Sequence, residues 1–379
     1  MTPVADASGS AASVGTRDRE HMQRALALAE GGWGQAAPNP MVGAVVVAGN
    51  RVVGEGFHAQ YGQAHGEVVA LRAAGDATRD ATLYVTLEPC AHYGKTPPCV
   101  DAVIDAGISR VVIAVRDPSD IARGGVERLR AAGVVVDIGL EREAALELNA
   151  PFFNAHGSER SWVTLKLALS AEGGIADPSG RFRWITGASS RKEVHRMRSN
   201  ADAIAVGIGT VFADDPSLTV REVEAPRVPP TRVVFDHNLR IPLTSTLVRT
   251  AREVPTVVIA APGSDSTPQH RALAKTSVDV LIANSIAEAL IALRDRGVRS
   301  LFLEGGARLA GEFLRASLVD RLAIFQSPLV LGGEPLGAFS SAPPGFEASL
   351  ATHRLVDRRR FDEDVMTTYA LTEIPCSPD

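Results

Sequence analysis

Apolar residues recur at helical spacing over residues 18–30, where Met22, Ala25, Leu26 and Ala29 share one face. After the rigid loop Ala37-Pro38-Asn39-Pro40, residues 42–47 form an unbroken apolar run of strand length. Gly49-Asn50 supplies a hairpin turn, and residues 51–57 return as a second strand. A helix is predicted from His65 through residue 73, ended at Gly75. Strands are predicted at 81–86, 110–115 and 134–138, with helices at 100–106, 125–132 and 141–150. This alternation behind a leading helix predicts an α/β layer whose sheet is largely buried.

Residues 151–161 end that pattern, and Trp162 starts another. Strands are predicted at 162–168, 203–206, 231–236, 256–260, 278–282, 300–304 and 321–326, and helices at 189–199, 286–296 and 311–316. Residues 353–371 alternate like a closing hairpin. Residues 1–15 are small and polar, and the segment to residue 17 reads as a disordered tail. The chain therefore divides into an α/β domain over 18–155 and a second α/β domain over 160–373.

A length of 379 residues exceeds what one ordinary core fills, which agrees with two domains. The formal charge of −5 and the absence of any Lys/Arg run argue against a nucleic-acid partner. No apolar stretch reaches bilayer length, so no membrane partner is expected. The start of the chain lacks the basic and apolar blocks of a signal peptide. Three cysteines, an odd number, do not make a secreted disulfide framework. Cys376 reads as a free thiol near the end of the chain. A reducing, cytoplasmic compartment suits the other two as thiolate ligands.

Those two give the chain its chemistry. His65-Gly66-Glu67 is followed by Pro89-Cys90 and then Cys99. One imidazole and two thiolates are donors that zinc prefers, and three protein ligands leave a fourth position for a reacting water. Glu67 is a carboxylate not needed as a ligand, able to move that water's protons. The pattern resembles the zinc deaminases, except that eight residues, not two, separate the cysteines. Both cysteines follow prolines and are expected at helix starts, where the macrodipole lowers a thiol's pKa. Two other readings stay open here. His92 lies between the cysteines and would complete a closed structural site. A nucleic-acid deaminase, such as a tRNA-editing enzyme, shares the chemistry but not this spacing.

In the second half, Gly207-Ile208-Gly209-Thr210, Glu304-Gly305-Gly306-Ala307 and Leu331-Gly332-Gly333 each follow a predicted strand. Gly209-Thr210 opens backbone amides beside its strand end, a perch for phosphate or ribose, and at Glu304 to Ala307 the strand runs into a glycine pair and a helix start, an anion-binding layout. None is a GxGxxG fingerprint, so the pattern does not establish a Rossmann domain.

Residues 37–43 (Ala-Pro-Asn-Pro-Met-Val-Gly), 54–58 (Gly-Glu-Gly-Phe-His), His65-Gly66-Glu67 and the stretch from Glu88 to Cys99 resemble the deaminase half of the bifunctional riboflavin-biosynthesis deaminase/reductase family. Val163 to Lys166, Arg183 to Thr186, Arg198, Asp214 to Arg221 and Glu304 to Gly306 resemble its reductase half. The resemblance implies a cytidine-deaminase-like αβα domain followed by a dihydrofolate-reductase-like α/β domain. It implies that one Zn2+ per chain is held by His65, Cys90 and Cys99, with Glu67 as proton shuttle. It places Asn39, His58, Lys95 and Thr96 on a phosphoribosyl pyrimidine. It places Trp184, Thr210, Asp214, Gly306, Ala307, Arg308 and Leu309 on NADPH, and Arg198, Leu218, Arg221 and Glu304 on the deaminated substrate. A homo-oligomer, dimer or tetramer, is also implied.

Three positions depart from the family pattern. Gly66 stands where alanine is usual, which removes only a methyl and is expected to preserve activity. Phe182 replaces a serine in the Gly180 to Trp184 stretch, exchanging a hydroxyl for a ring. Glu172-Gly173-Gly174 replaces an aspartate-glycine-basic run. A protein in which only the deaminase works is the alternative these departures raise.

Overall fold

The structure, a computed structural model, describes residues 15–177, 182 and 184–375. Cys376, Gly180, Arg181, Arg183 and nearly all of the expected tail lie outside the described residues. The chain forms two compact units that divide between Asn149 and Ala150.

The first unit contains α1 (Thr16–Ala29), β1 (Gly43–Ala48), β2 (Arg51–Phe57), α2 (Gly66–Ala74), β3 (Thr82–Val85), α3 (Cys99–Asp105), β4 (Arg110–Ile113), α4 (Gly125–Ala131), β5 (Val135–Ile138) and α5 (Arg142–Leu148). Its sheet runs β2-β1-β3-β4-β5. The β1/β2 hairpin is antiparallel, β1 also meets β3 antiparallel, and β3, β4 and β5 are parallel. Val45, Val46, Leu83, Val111 and Val112 are fully buried at its centre. Glycines in the hairpin let the helices close on it. A Cβ at Gly43 would lie 1.9 Å from the Ala25 carbonyl oxygen, and one at Gly56 would lie 2.6 Å from that of Gly66. Backbone contact of this kind sets the first turn of α2 directly against β2.

The second unit contains α6 (Ala150–Gly157), β6 (Trp162–Leu169), β7 (Gly174–Ala176), α7 (Ala188–Ser199), β8 (Ala203–Gly207), α8 (Ile208–Asp214), β9 (Thr231–Phe235), α9 (Thr246–Arg249), β10 (Thr256–Ala260), α10 (Pro268–Leu273), β11 (Val278–Ile282), α11 (Ile286–Asp295), β12 (Ser300–Leu303), α12 (Ala307–Arg315), β13 (Arg321–Gln326), β14 (Leu336–Gly337), α13 (Phe346–Ser349), β15 (Arg354–Phe361) and β16 (Asp364–Ala370). Its large sheet runs β11-β10-β9-β8-β12-β6-β13-β16-β15. Strands β11 through β13 are parallel, and the β15/β16 hairpin adds antiparallel. One core cluster, including Val163, Leu165, Leu303 and Phe313, and another, including Ile204, Val234, Leu218 and Leu247, fill this unit. The parallel register aligns Gly207 with Phe235 and Leu303 with both Ala205 and Leu165. The carboxyl ends of β9, β8, β12 and β6 therefore form one row, the edge where open α/β sheets bind ligands.

Four expectations need correction. Thr16 and Arg17 belong to α1, so the tail reading through residue 17 overran the helix. The helix expected at 141–150 breaks at Asn149 into α5 and α6, and α6 occupies the start of the expected boundary segment. Helix α12 begins at Ala307, not Gly311. Helix α8 was not expected after the strand end at Gly207, because two short turns give too little periodicity to register.

Candidate active sites

In the first unit, α2 opens at His65, its N-cap in extended conformation. This half-helical start lets His65 and Glu67 reach the same pocket although they are two residues apart. Cys99 is the first residue of α3, capped by Pro98. Cys90 was also expected at a helix start but lies in a loop. Its sulfur instead accepts the Cys99 backbone N–H at 3.4 Å, so α3 presents its amino end to both sulfurs. His65 Nδ1 lies 3.2 Å from Cys99 Sγ and 3.7 Å from Cys90 Sγ. The edges of a zinc tetrahedron are about 3.5–3.8 Å on ordinary Zn–N and Zn–S bond lengths. Among the described residues, His65, Cys90 and Cys99 are the group whose donor atoms fall within 4.8 Å of one another, and His92 is not in it.

Glu67 is 3% exposed, and its Oε2 has no hydrogen-bond partner. Burial pushes its carboxyl up to about 7, against the pull of His65. The two thiols share a hydrogen bond and titrate as a pair. That bond and His65 hold a thiolate at Cys90 well below the usual thiol range, while Cys99 is pushed up. The donor set and the orphaned carboxylate oxygen fit a bound zinc with a polar partner still to come.

Asn39 and His58 meet at this pocket, Asn39 Nδ2 lying 3.2 Å from His58 Nε2. The His58 ring packs edge-on to His65 at 5.1 Å, and its Nδ1 lies 3.2 Å from the Ala64 carbonyl. Burial lowers the pKa of His58. Lys95 Nζ lies over the Tyr61 ring, 4.1 Å from its centroid, and Thr96 accepts the Gly94 N–H through its carbonyl. The sequence reading missed Asn149, whose side chain accepts from Met41 N–H and donates to Met41 C=O, both at 2.8 Å. It clamps the loop that carries Asn39, and nothing in its local sequence announces this. Glu88 was read only as part of a motif. Its buried carboxylate accepts N–H groups from Asp117, Gly124 and Val126 and contacts Arg116.

Gly66 is not merely a lost methyl. A Cβ there would lie 2.7 Å from the Val42 carbonyl oxygen and 3.2 Å from Phe57 Cα. In this chain the start of α2 has closed onto the space that alanine would need.

In the second unit, Arg198 from α7 grips Glu304, just past β12, through two bonds of 2.5 and 3.0 Å. Lys166 of β6, next in register, lies 3.9 Å from the same carboxylate. A charged lysine inside the mostly apolar run Trp162–Leu169 was the available signal for it. Burial lowers the pKa of Lys166, with Glu304 opposing. Burial alone would raise Glu304, but Arg198 and Lys166 outweigh it and hold the carboxyl below its ordinary range. The side chain of Arg221 is exposed and donates to Ser217 Oγ at 2.6 Å. Leu218 is buried at 4% exposure with φ of +47°, so its side chain faces the core and only its backbone is offered to a ligand.

The residues expected on the cofactor divide. Thr210 and Asp214 lie on α8, at the end of β8. Gly306 caps α12 with no side-chain capping bond, leaving the helix start available to an anion. Leu309 is packed beneath Gly207 and Gly305, whose Cβ atoms would meet it at 3.5 and 3.2 Å. The Arg308 side chain is 91% exposed and pairs with Glu312. Ala307 and Leu309 are buried, so these three contribute backbone to the helix start. Trp184 is 58% exposed, with Arg191 over its ring at 5.2 Å.

A family model described as the cytidine and deoxycytidylate deaminase zinc-binding region matches residues 16–115, and one described as the RibD C-terminal domain matches residues 161–367. The riboflavin biosynthesis protein RibD of Aquifex aeolicus is 42% identical over 318 residues, 83% of this chain and 88% of that protein. That of Escherichia coli K12 is 37% identical over 343 residues, 87% and 92% of the two chains. The solved structure of Acinetobacter baumannii RibD matches with a TM-score of 0.79 at 35% identity, covering 94% of this chain and 99% of that one. The Thermotoga maritima structure described as a diaminohydroxyphosphoribosylaminopyrimidine deaminase/5-amino-6-(5-phosphoribosylamino)uracil reductase matches at 0.77 and 34% identity, covering 93% and 98%. These likenesses decide against a nucleic-acid deaminase, and they support zinc and a nicotinamide cofactor in general terms. The chain belongs to the RibD family of bifunctional enzymes, which join a zinc-binding deaminase to a reductase for riboflavin biosynthesis.

Proposed function

We propose that the first half deaminates a diaminopyrimidine carrying ribosylamine 5'-phosphate and that the second half reduces the product's ribosyl group to ribityl with NADPH. The observation that carries the first step is the orphaned, buried Glu67 oxygen beside the one-nitrogen, two-sulfur cluster. His65, Cys90 and Cys99 would hold the zinc, one per chain, which would supply the Lewis acidity that makes water a nucleophile near neutral pH. Glu67 takes the proton from the attacking water and returns it to the departing ammonia. A carboxyl raised toward neutrality by burial suits both transfers. Asn39 and His58 orient the ring, and Lys95 and Thr96 meet the phosphate.

At the second site NADPH supplies the hydride, and the chain supplies position. The row of strand ends, the uncapped start of α12 and the Thr210/Asp214 face of α8 would hold the cofactor, with Trp184 alongside. Arg221 takes the substrate phosphate, and the Arg198–Glu304 pair orients the sugar. Lys166, 3.9 Å from the Glu304 carboxylate, is a proton donor beside that pair. We also infer a homo-oligomer and a reducing cytoplasmic setting, since the metal site needs free thiols. Among the described residues no helix is long and apolar enough to cross a membrane.

A coupled assay on purified, zinc-loaded protein, recording ammonia and NADPH consumption separately, tests both halves. The reading expects stoichiometric ammonia followed by NADPH oxidation. Ammonia without NADPH oxidation would leave a deaminase with a degenerate partner; neither signal would refute the assignment.

A further inference from the structure

The loop between α8 and β9 is held in a shape its residues do not favour. Asp215, Leu218 and Glu222 have φ of +39°, +47° and +65°. None is glycine, and L side chains rarely adopt this backbone region, so each position is strained. The loop persists because it is fastened at several points. Asp215 accepts from Thr246 N–H and hydroxyl, both at 2.7 Å. Arg232 donates to the Ser217 carbonyl at 3.3 Å, and Arg198 donates to the Thr219 carbonyl at 3.1 Å. The last fastening is a side chain that accepts: the Arg221 backbone N–H donates to His195 Nδ1 at 3.1 Å.

His195 lies on α7 three residues before Arg198, on the same helical face. One helix therefore holds two nearby points of the loop, one by giving a hydrogen bond and one by receiving it. The receiving role requires a neutral imidazole, because a protonated ring offers only N–H groups. His195 is 7% exposed, so water does not readily substitute for a lost partner.

We propose that His195 is a positioning residue of the reductase site: as neutral imidazole it accepts the Arg221 N–H and so aims the Arg221 guanidinium at the substrate phosphate. This rests on Arg221 being the phosphate contact. The charged groups facing His195 are Arg198 on its own helix, Arg221 and Glu222 on the loop, and Glu304 beyond β12. Burial, then the two guanidiniums, lowers its pKa, and the two carboxylates oppose them. The neutral form therefore prevails at neutral pH. As the pH falls through that lowered pKa, below the ordinary imidazole range, the ring gains a proton, the Arg221 N–H faces another N–H, and the loop is released.

The test uses full-length protein and measures KM and kcat for NADPH oxidation with the deaminated substrate from pH 5.5 to 8.5. The calorimetric transition of the second unit, with kcat, reports its folding. His195→Phe keeps the bulk but removes the acceptor; KM should rise roughly tenfold at pH 7.5 with kcat within a few-fold. His195→Asn restores an acceptor near Nδ1 that does not titrate. Its KM should stay within about threefold of wild type at pH 7.5 and lack the extra rise in acid that wild type shows. Because both proteins bind the same phosphate, its own ionisation cancels in the comparison. An unchanged KM for His195→Phe, or an identical acid rise for His195→Asn, overturns the proposal. Arg221→Gln separates the two levels. If it leaves KM unchanged, the phosphate reading and this proposal both fail. If it raises KM and His195→Phe does not, only the role of His195 fails.

Discussion

Replacing Glu88 by Gln tests how the zinc loop is supported. The Glu88 side chain is fully buried. Oε1 accepts from Gly124 N–H at 3.2 Å and Val126 N–H at 2.9 Å; Oε2 accepts from Asp117 N–H at 3.2 Å and faces Arg116 at 3.4 Å. A glutamine keeps the shape and one acceptor but turns an NH2 toward one of these pairs. Each hydrogen bond to a charged group is worth about 1.5–3 kcal/mol, so the change should cost about 2–4 kcal/mol after partial relaxation. The strain falls on the metal side of the unit. Gly125, at the start of α4, sits so close to Pro89 that a Cβ would be 2.0 Å from its carbonyl oxygen. Ala122 packs with Cys90 and Cys99, and its carbonyl accepts the Ala91 N–H at 3.0 Å. Loosening residues 117–126 should therefore move Cys90 and weaken zinc by roughly 10–100-fold, as lost support of metal ligands commonly does. Chelator competition gives the affinity, calorimetry gives the stability, and NADPH oxidation on pre-deaminated substrate should be unchanged. Wild-type zinc affinity and an unshifted transition in Glu88→Gln would refute the reasoning.

Gly66→Ala, which installs the usual family residue, should destabilise by about 1–2 kcal/mol, because the overlap with Val42 outweighs the gain in helix propensity; thermal melts and ammonia release would check it. Asn149→Ala removes both bonds to Met41 and should raise KM for deamination severalfold while zinc content and NADPH oxidation stay at wild-type levels, measured by steady-state kinetics and metal analysis. Removing zinc with a chelator should lower the first transition in calorimetry by about 2.7 kcal/mol relative to a sample with free zinc at 100 times its dissociation constant, leaving the reductase active.

The chemistry of the first half was legible because it sits in local patterns. His65 and Glu67 are two residues apart, Cys90 and Cys99 are both preceded by proline, and the first strand is an unbroken apolar run. What was not legible depends on contacts across the fold. Asn149 reaches Met41 from the far end of the unit, and no periodicity encodes a side chain that imitates a backbone partner. Gly66 looked like a minor departure because a sequence does not show how near Val42 lies. In the second half, the resemblance singles out Glu304 and Arg198, which pair in the fold, but Lys166 needed the β6/β12 register to place it beside them. Leu218 and Leu309, which the resemblance places on substrate and cofactor, have buried side chains that serve packing, which leaves their backbones to meet a ligand. Short helices such as α8 escaped because a strand-to-helix turn offers too few residues for a repeat.

The central claim is that Glu67 moves protons and does not hold the metal. Glu67→Gln, analysed for zinc content and for ammonia release on the same preparation, tests it most directly. The account predicts one zinc per chain at wild-type affinity, with ammonia release lowered roughly 10²–10⁴-fold. Zinc lost from the variant, or ammonia released at the wild-type rate, would contradict it.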